Sequence, residues 1–149
     1  MKNNFRPGLF PKDMSRENPF KEYKSGVCNI GVKEVSVRRK FFYAFLPITF
    51  LLTLSAFFWD NSLVLWILLL GSAFCLTVLY NEIKYKFCIL FGFFSLYNFE
   101  KLGTIHEVKN PQDHQKDRKR VLEIVIQSLL FSLIYATTVH LAAGYFHLH

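Results

Sequence analysis

Hydrophobic positions in this chain gather into three long runs. Phe41–Trp59 and Ser62–Tyr80 are 19 residues each without a formal charge, and Val121–Phe146 is 26 residues with Glu123 as its single charge. At about 1.5 Å of rise per helical residue, each covers the roughly 30 Å hydrocarbon core of a bilayer. All three are predicted to be transmembrane helices, spanning about 41–59, 62–80 and 121–146. No cleaved leader is expected, because the first apolar run begins only at Phe41 and a second follows at once.

A fourth apolar stretch, Phe87–Phe99, is shorter. As a helix it would reach only about 20 Å, less than the hydrocarbon thickness. It is predicted to lie in the interface or to dip in and return, with Gly92 allowing a bend and Lys84, Lys86, Tyr97 and Lys101 anchoring its ends. Phe87, Phe91, Phe93 and Phe94 are then expected at shallow depth. The competing arrangement is a fourth span over Ile83–Phe99.

The polar segments have distinct characters. Residues 1–27 read as an irregular tail, with Pro7, Pro11 and Pro19 among isolated aromatics and scattered charge. The helix of the first span is expected to begin within Val32–Arg39 and to kink at Pro47. Before the last span, Asn110-Pro111 reads as a turn and Asp113 as a helix N-cap. The chain is thus predicted to be an all-α integral membrane protein: three transmembrane helices plus a short interfacial or re-entrant helix, with residues 28–149 as the membrane domain.

Composition agrees. Hydrophobic residues make up 52% of the 149 positions and aromatics 17%, with a mean hydropathy of +0.22, too apolar for a soluble domain that also carries a charged surface. Charge then sets the orientation. Residues 1–40 hold ten of the 18 Lys and Arg and residues 81–120 hold the other eight, so the net charge of +7 belongs to one side. By the positive-inside rule, the N-terminus and the 81–120 segment are cytoplasmic, while the Asp60-Asn61 turn and the C-terminus are extracytoplasmic. A fourth span would push the loop carrying Lys101, Lys109, Lys116, Arg118, Lys119 and Arg120 outside, against that rule. Arg38, Arg39, Lys40, Lys84, Lys86, Arg118, Lys119 and Arg120 are expected to meet anionic lipid headgroups. No nucleic-acid partner is expected, since no folded recognition motif or aromatic-interleaved basic strand occurs.

Candidate chemistry is sparse. Cys28, Cys75 and Cys88 all fall in the cytoplasmic half, where an odd count of thiols disfavours a disulfide framework. Cys28 and Cys88 are a candidate thiol pair, with Lys33, Lys84 and Lys86 near enough to favour a thiolate; otherwise all three cysteines act as small apolar side chains. No metal-ligand spacing is present, and no cofactor is expected. A haem between spans needs ligands at matching depth, yet His140 is the one histidine within a span. Glu123 is close enough to the interface to pair with Lys119.

The stretch "CNIGVKEVSVRR", followed by two close-set spans and "KFCILFGFFSLYNF", resembles small bacterial inner-membrane proteins of unknown function and the two-span module found beside rhodanese domains. The match covers residues 28–98. Asn29, Gly31 and Glu34 fit the opening Asn-x-Gly-x-x-acid pattern, and Cys88 fits the Cys after the second span. Val35 stands where an Arg often follows the acid, and Ile89 where a Pro often follows the Cys. The resemblance implies a bacterial inner-membrane location and associates the chain with sulfur chemistry.

A packing face is also legible. Ser128, Ser132, Ala136, His140 and Gly144 repeat at intervals of four and are expected to form a small-residue stripe for helix association within the monomer or with a partner. Together these features predict a non-catalytic accessory or assembly subunit whose partners are other integral membrane proteins or a second copy. The alternative is a thiol-dependent component using Cys28 and Cys88, and transport is disfavoured by the small number of spans.

Overall fold

A computed structural model describes residues 22–58, 62–100 and 102–148, with residues 147 and 148 by backbone alone. The tail before residue 22, Trp59 with the Asp60-Asn61 turn, Lys101, the side chains of His147 and Leu148, and His149 lie outside the described residues. The fold is nearly all-α. Three helices, α1 (Val32–Phe58), α2 (Leu63–Tyr85) and α4 (Pro111–Leu148), are long and apolar enough to cross a membrane. Between α2 and α4 the chain forms a six-residue helix, α3 (Ile89–Phe94), then β1 (Leu96–Tyr97) and β2 (His106–Glu107), an antiparallel ribbon pairing Leu96 with Glu107 and Tyr97 with His106.

Each helix runs beyond its apolar stretch at the basic end. α1 begins at Val32, α2 continues to Tyr85, and α4 begins at Pro111. Hydropathy marks the hydrocarbon-crossing part, whereas the helix continues for as long as backbone bonding and caps allow. Ser62 caps α2 by accepting from the Leu65 N–H at 3.3 Å. At α4 the cap is Asn110 rather than Asp113: the Asn110 side-chain oxygen accepts from the Gln112 N–H at 3.0 Å. Pro111 can occupy the first helical position because an N–H there would have no intrahelical partner. Asp113 lies in the first turn and pairs with Lys116 at 3.2 Å.

Residues 87–99 do not form a fourth span. At six residues α3 is only about 9 Å long, and the chain turns sharply on both sides of it. Lys86 (φ 51°) and Ser95 (φ 57°) make these turns in the left-handed region. Gly92 is therefore not the bend. It is a point of closest packing, since a Cβ there would fall 2.6 Å from the buried Phe87 ring and 2.7 Å from the Val121 side chain. The four Phe residues expected at shallow depth are split accordingly: Phe87 is wholly buried, Phe91 partly, while Phe93 and Phe94 are exposed.

α2 lies between α1 and α4 and packs along both. Away from the basic end, Ala56, Leu69, Ala136, Val139 and Ala143 form a core flanked by Leu52, Trp66 and Tyr135. On α4, Ser128, Ser132 and Ala136 are fully buried, but the line continues through Val139 and Ala143, with His140 and Gly144 only half-buried. A step of four residues overshoots a turn by about 40°, so repeated fours rotate off the contact and one step of three restores it.

Candidate functional site

Polar chemistry in this molecule concentrates at the basic end, where the segment before α1 is threaded between the α2–α3 connection, the β1 region and the start of α4. Its backbone is tied on both sides. The N–H groups of Asn29 and Ile30 donate to the Lys86 carbonyl at 3.2 Å, Gly31 N–H donates to Asn98 O at 2.7 Å, and Asn98 N–H donates to Asn29 O at 2.9 Å. Gly31 is required by this close approach: a Cβ would lie 3.0 Å from the Phe99 Cα and 3.1 Å from its carbonyl oxygen.

Side chains complete the junction. Asn29, wholly buried, donates its amide to the Cys88 carbonyl at 3.0 Å and accepts the Cys88 N–H at 2.6 Å, reproducing with a side chain what a β-strand would supply with its backbone. Arg38 sits between two carboxylates. Its Nη1 lies 2.8 Å from Glu34 Oε2 and its Nε 3.0 Å from Glu82 Oε2, with all three side chains no more than 14% exposed. The second oxygens are also satisfied: Glu34 Oε1 accepts from Asn98 Nδ2 at 3.0 Å, and Glu82 Oε1 accepts from the Ile89 N–H at 2.9 Å. The acid of the first α1 turn is thereby tied to the end of α2, the start of α3 and the strand region.

Asn29, Gly31 and Glu34 are brought together with Cys88, 59 residues beyond Asn29, in this one junction. Arg38 was expected at the headgroups, but it is occupied by the Glu34–Glu82 pair, because two buried carboxylates need a cation between them. Tyr97 is likewise withdrawn from a headgroup role, stacking on Tyr23 at 4.8 Å and on His106 at 5.3 Å. The other expected interface cations remain outward. Arg39, Lys40, Lys84, Arg118 and Lys119 are exposed, and Lys86 and Arg120 are half-buried. Glu123 pairs with Arg120 at 3.0 Å rather than with Lys119.

A second knot fastens the 22–28 segment to α4. Asp117, wholly buried, accepts the Tyr23 hydroxyl at 2.7 Å and the Gly26 N–H at 2.7 Å. Burial pushes its carboxyl above the ordinary value of 3.8, against the downward pull of those two donors. Burial and the adjacent carboxylate raise Tyr23 in turn.

Both members of the candidate thiol pair are buried. Cys88 is pushed up by burial and by the Glu82 carboxylate, with the Arg38 guanidinium opposing. Burial also raises Cys28, whose sulfur donates to the Glu22 carbonyl at 3.5 Å. Cys75 is exposed on α2. Among the described residues, no group of three or more His, Cys, Asp or Glu could hold a metal ion.

Sequence reasoning passed over Glu82, Asn98, Asp117 and Asn81. Asp117 stands among surface-like polar residues and Asn98 is a single polar position between Tyr97 and Phe99; the available signal was the Asn81-Glu82 pair directly against the end of an apolar run, where a polar group needs a partner. The fold and this junction define an α-helical protein with three helices able to cross a membrane, closed at one end by a polar lock. No family model, curated protein or solved structure matches the chain.

Proposed function

We propose that this chain is a non-catalytic accessory or assembly subunit of a membrane protein complex, seated in a bacterial inner membrane with its basic end in the cytoplasm. The observation that carries this reading is the lock at the basic end. Its buried side chains bond to one another and to backbone, as in a scaffold, and burial pushes its thiols above their ordinary value, away from the reactive thiolate. Such an arrangement fixes the entry angles of α1, α2 and α4 and presents a constant lateral surface to neighbouring proteins. Purification in mild detergent tests it: the expected result is one or a few integral membrane proteins recovered in stoichiometric amount. A chain recovered alone, with its activity or phenotype intact, would overturn the reading. Orientation is tested separately by a reporter after His149, expected outside, and one near Asn110, expected inside.

The thiol-dependent alternative has one observation in its favour, the Arg38 guanidinium beside Cys88. Replacing Cys28 and Cys88 together by Ser discriminates. The accessory reading expects retained assembly and phenotype, and the thiol reading expects both to be lost.

A further inference from the structure

A cleft of about 180 Å³ opens between α2 and α4 toward the basic end. Along the helix axes, Thr77 and the exposed Phe131 line the end away from the basic side, Asn81, Gln127 and Ser128 the middle, and Lys84 the end at the basic side, its mouth. From Thr77 to Lys84 it extends seven residues, about 10 Å along the helix axis, and over that distance its wall changes from the Phe131 ring to a cationic rim. The middle is polar although it lies where one apolar run ends and within another. Asn81 donates to Ser128 at 3.0 Å, while the Gln127 amide stands exposed at a lipid-facing surface, where an amide requires a hydrogen-bond partner.

A second cation stands next to the rim, on the wall of a neighbouring hollow that Arg120 lines with Lys116 and Lys119. The Lys84 ammonium lies 5.2 Å from the centre of the Tyr85 ring and the Arg120 guanidinium 4.3 Å from it, so one aromatic ring holds two positive charges beside the mouth. Lys84 also lies 5.9 Å from the Tyr80 ring, which is itself part of the cleft wall. Arg120 is bonded to the half-exposed Glu123 at 3.0 Å, so the excess positive charge beside the mouth is that of Lys84.

We propose that this cleft binds one anionic phospholipid from the leaflet facing the basic end. The phosphate sits against Lys84 and Arg120, an ester or glycerol oxygen accepts from the Gln127 amide, and the start of an acyl chain lies against Thr77 and Phe131. Its polarity follows the order of groups in a phospholipid, charged head, polar ester, apolar chain, and its rim matches the phosphate in sign. This inference rests on the membrane insertion of α2 and α4 and not on the accessory role, so either can fail without the other.

The test uses the full chain in nanodiscs of mixed phosphatidylglycerol and phosphatidylcholine, followed by detergent release and native mass spectrometry. One phosphatidylglycerol retained per chain, in preference to phosphatidylcholine, is expected. The Lys84→Gln, Arg120→Gln double variant should lose it by about tenfold or more, and Phe131→Trp, which enlarges the ring where the acyl chain would lie, should also lose it. Lys84→Arg should retain it, which excludes misfolding at that position. Lys40→Gln, an exposed cation outside the cleft, should retain it as well. Equal retention of both lipids, equal loss in Lys40→Gln, or retention in Phe131→Trp would overturn the proposal. A photo-cross-linking residue at position 131 that captures a protein helix instead of lipid would overturn it too.

Discussion

At the basic end, Arg38 reaches across 44 residues of sequence to Glu82, Asn29 across 59 to Cys88, and Asn98 across 64 to Glu34. Deeper in the bundle, helices meet mainly through small residues and apolar contacts, with Thr53 and Tyr135 hydroxyls 2.8 Å apart as one polar tie. The solvent explains the contrast. In hydrocarbon, apolar burial gives helices little reason to associate, so close contact at small residues supplies much of the attraction. At the basic end the chain passes out of the hydrocarbon, and charged groups can be buried there provided that each finds its partner. The lock specifies which segments meet; the bundle only has to fit. α1 shows this most clearly. Only 11% of its apolar window is buried, against 28% for α4, yet its entry is set by Glu34 and Arg38.

If that division holds, the largest effect should come from Arg38. Arg38→Met leaves Glu34 and Glu82 together without a cation, a loss of about 3–5 kcal/mol. Unfolding in detergent, followed by circular dichroism, should show a much lower midpoint, with Arg38→Lys intermediate because it cannot bridge both carboxylates with a planar fork. A midpoint within experimental error of the parent would show that the lock does not govern stability.

Next is the packing point under α3. Gly92→Leu drives a side chain into the buried Phe87 ring and Val121, at a cost of about 1–3 kcal/mol. Phe93→Leu on the exposed side of the same helix should be nearly silent in the same melt. Similar losses for the two would mean that α3 is loosely held.

Smaller effects are expected in the bundle. Ser132→Leu or Ala136→Leu, at fully buried positions of α4, should lower stability by about 1–2 kcal/mol, whereas Leu129→Ala at an exposed position should do little. The reverse ranking would place the stripe against lipid.

The smallest effect is a pH dependence at Asp117. Its folded carboxyl is raised above 3.8, so the folded state holds its proton to higher pH than the unfolded state does. This contribution to stability is therefore full below about the ordinary value and falls as pH rises through the folded value. Amide exchange at Gly26, which bonds Asp117, should quicken over that window beyond the intrinsic rise with pH. Asp117→Asn should abolish the extra dependence, and an opposite sign in the parent would show that the Tyr23 and Gly26 donors outweigh burial.

How much of this was legible beforehand differs by region. Three spans, a short non-spanning segment and a one-sided charge follow from hydropathy and cation placement, because transfer into a bilayer is decided residue by residue within each segment. The first half of the small-residue stripe is equally local, set by helical period. The lock was not readable in that way. Glu82 and Asp117 look like surface acids among lysines, and Arg38 looks like its neighbours Arg39 and Lys40 until distant chain segments arrive beside it. The role of Gly92 likewise depends on Phe87 and Val121 closing over it, and the shift of the α4 contact to Val139 and Ala143 depends on where α1 and α2 lie. The sequence by itself determined which segments enter the bilayer and which end is basic, since those depend on local composition. Only the tertiary structure decided which polar groups are buried together, because partner choice depends on distances between residues that the chain keeps far apart.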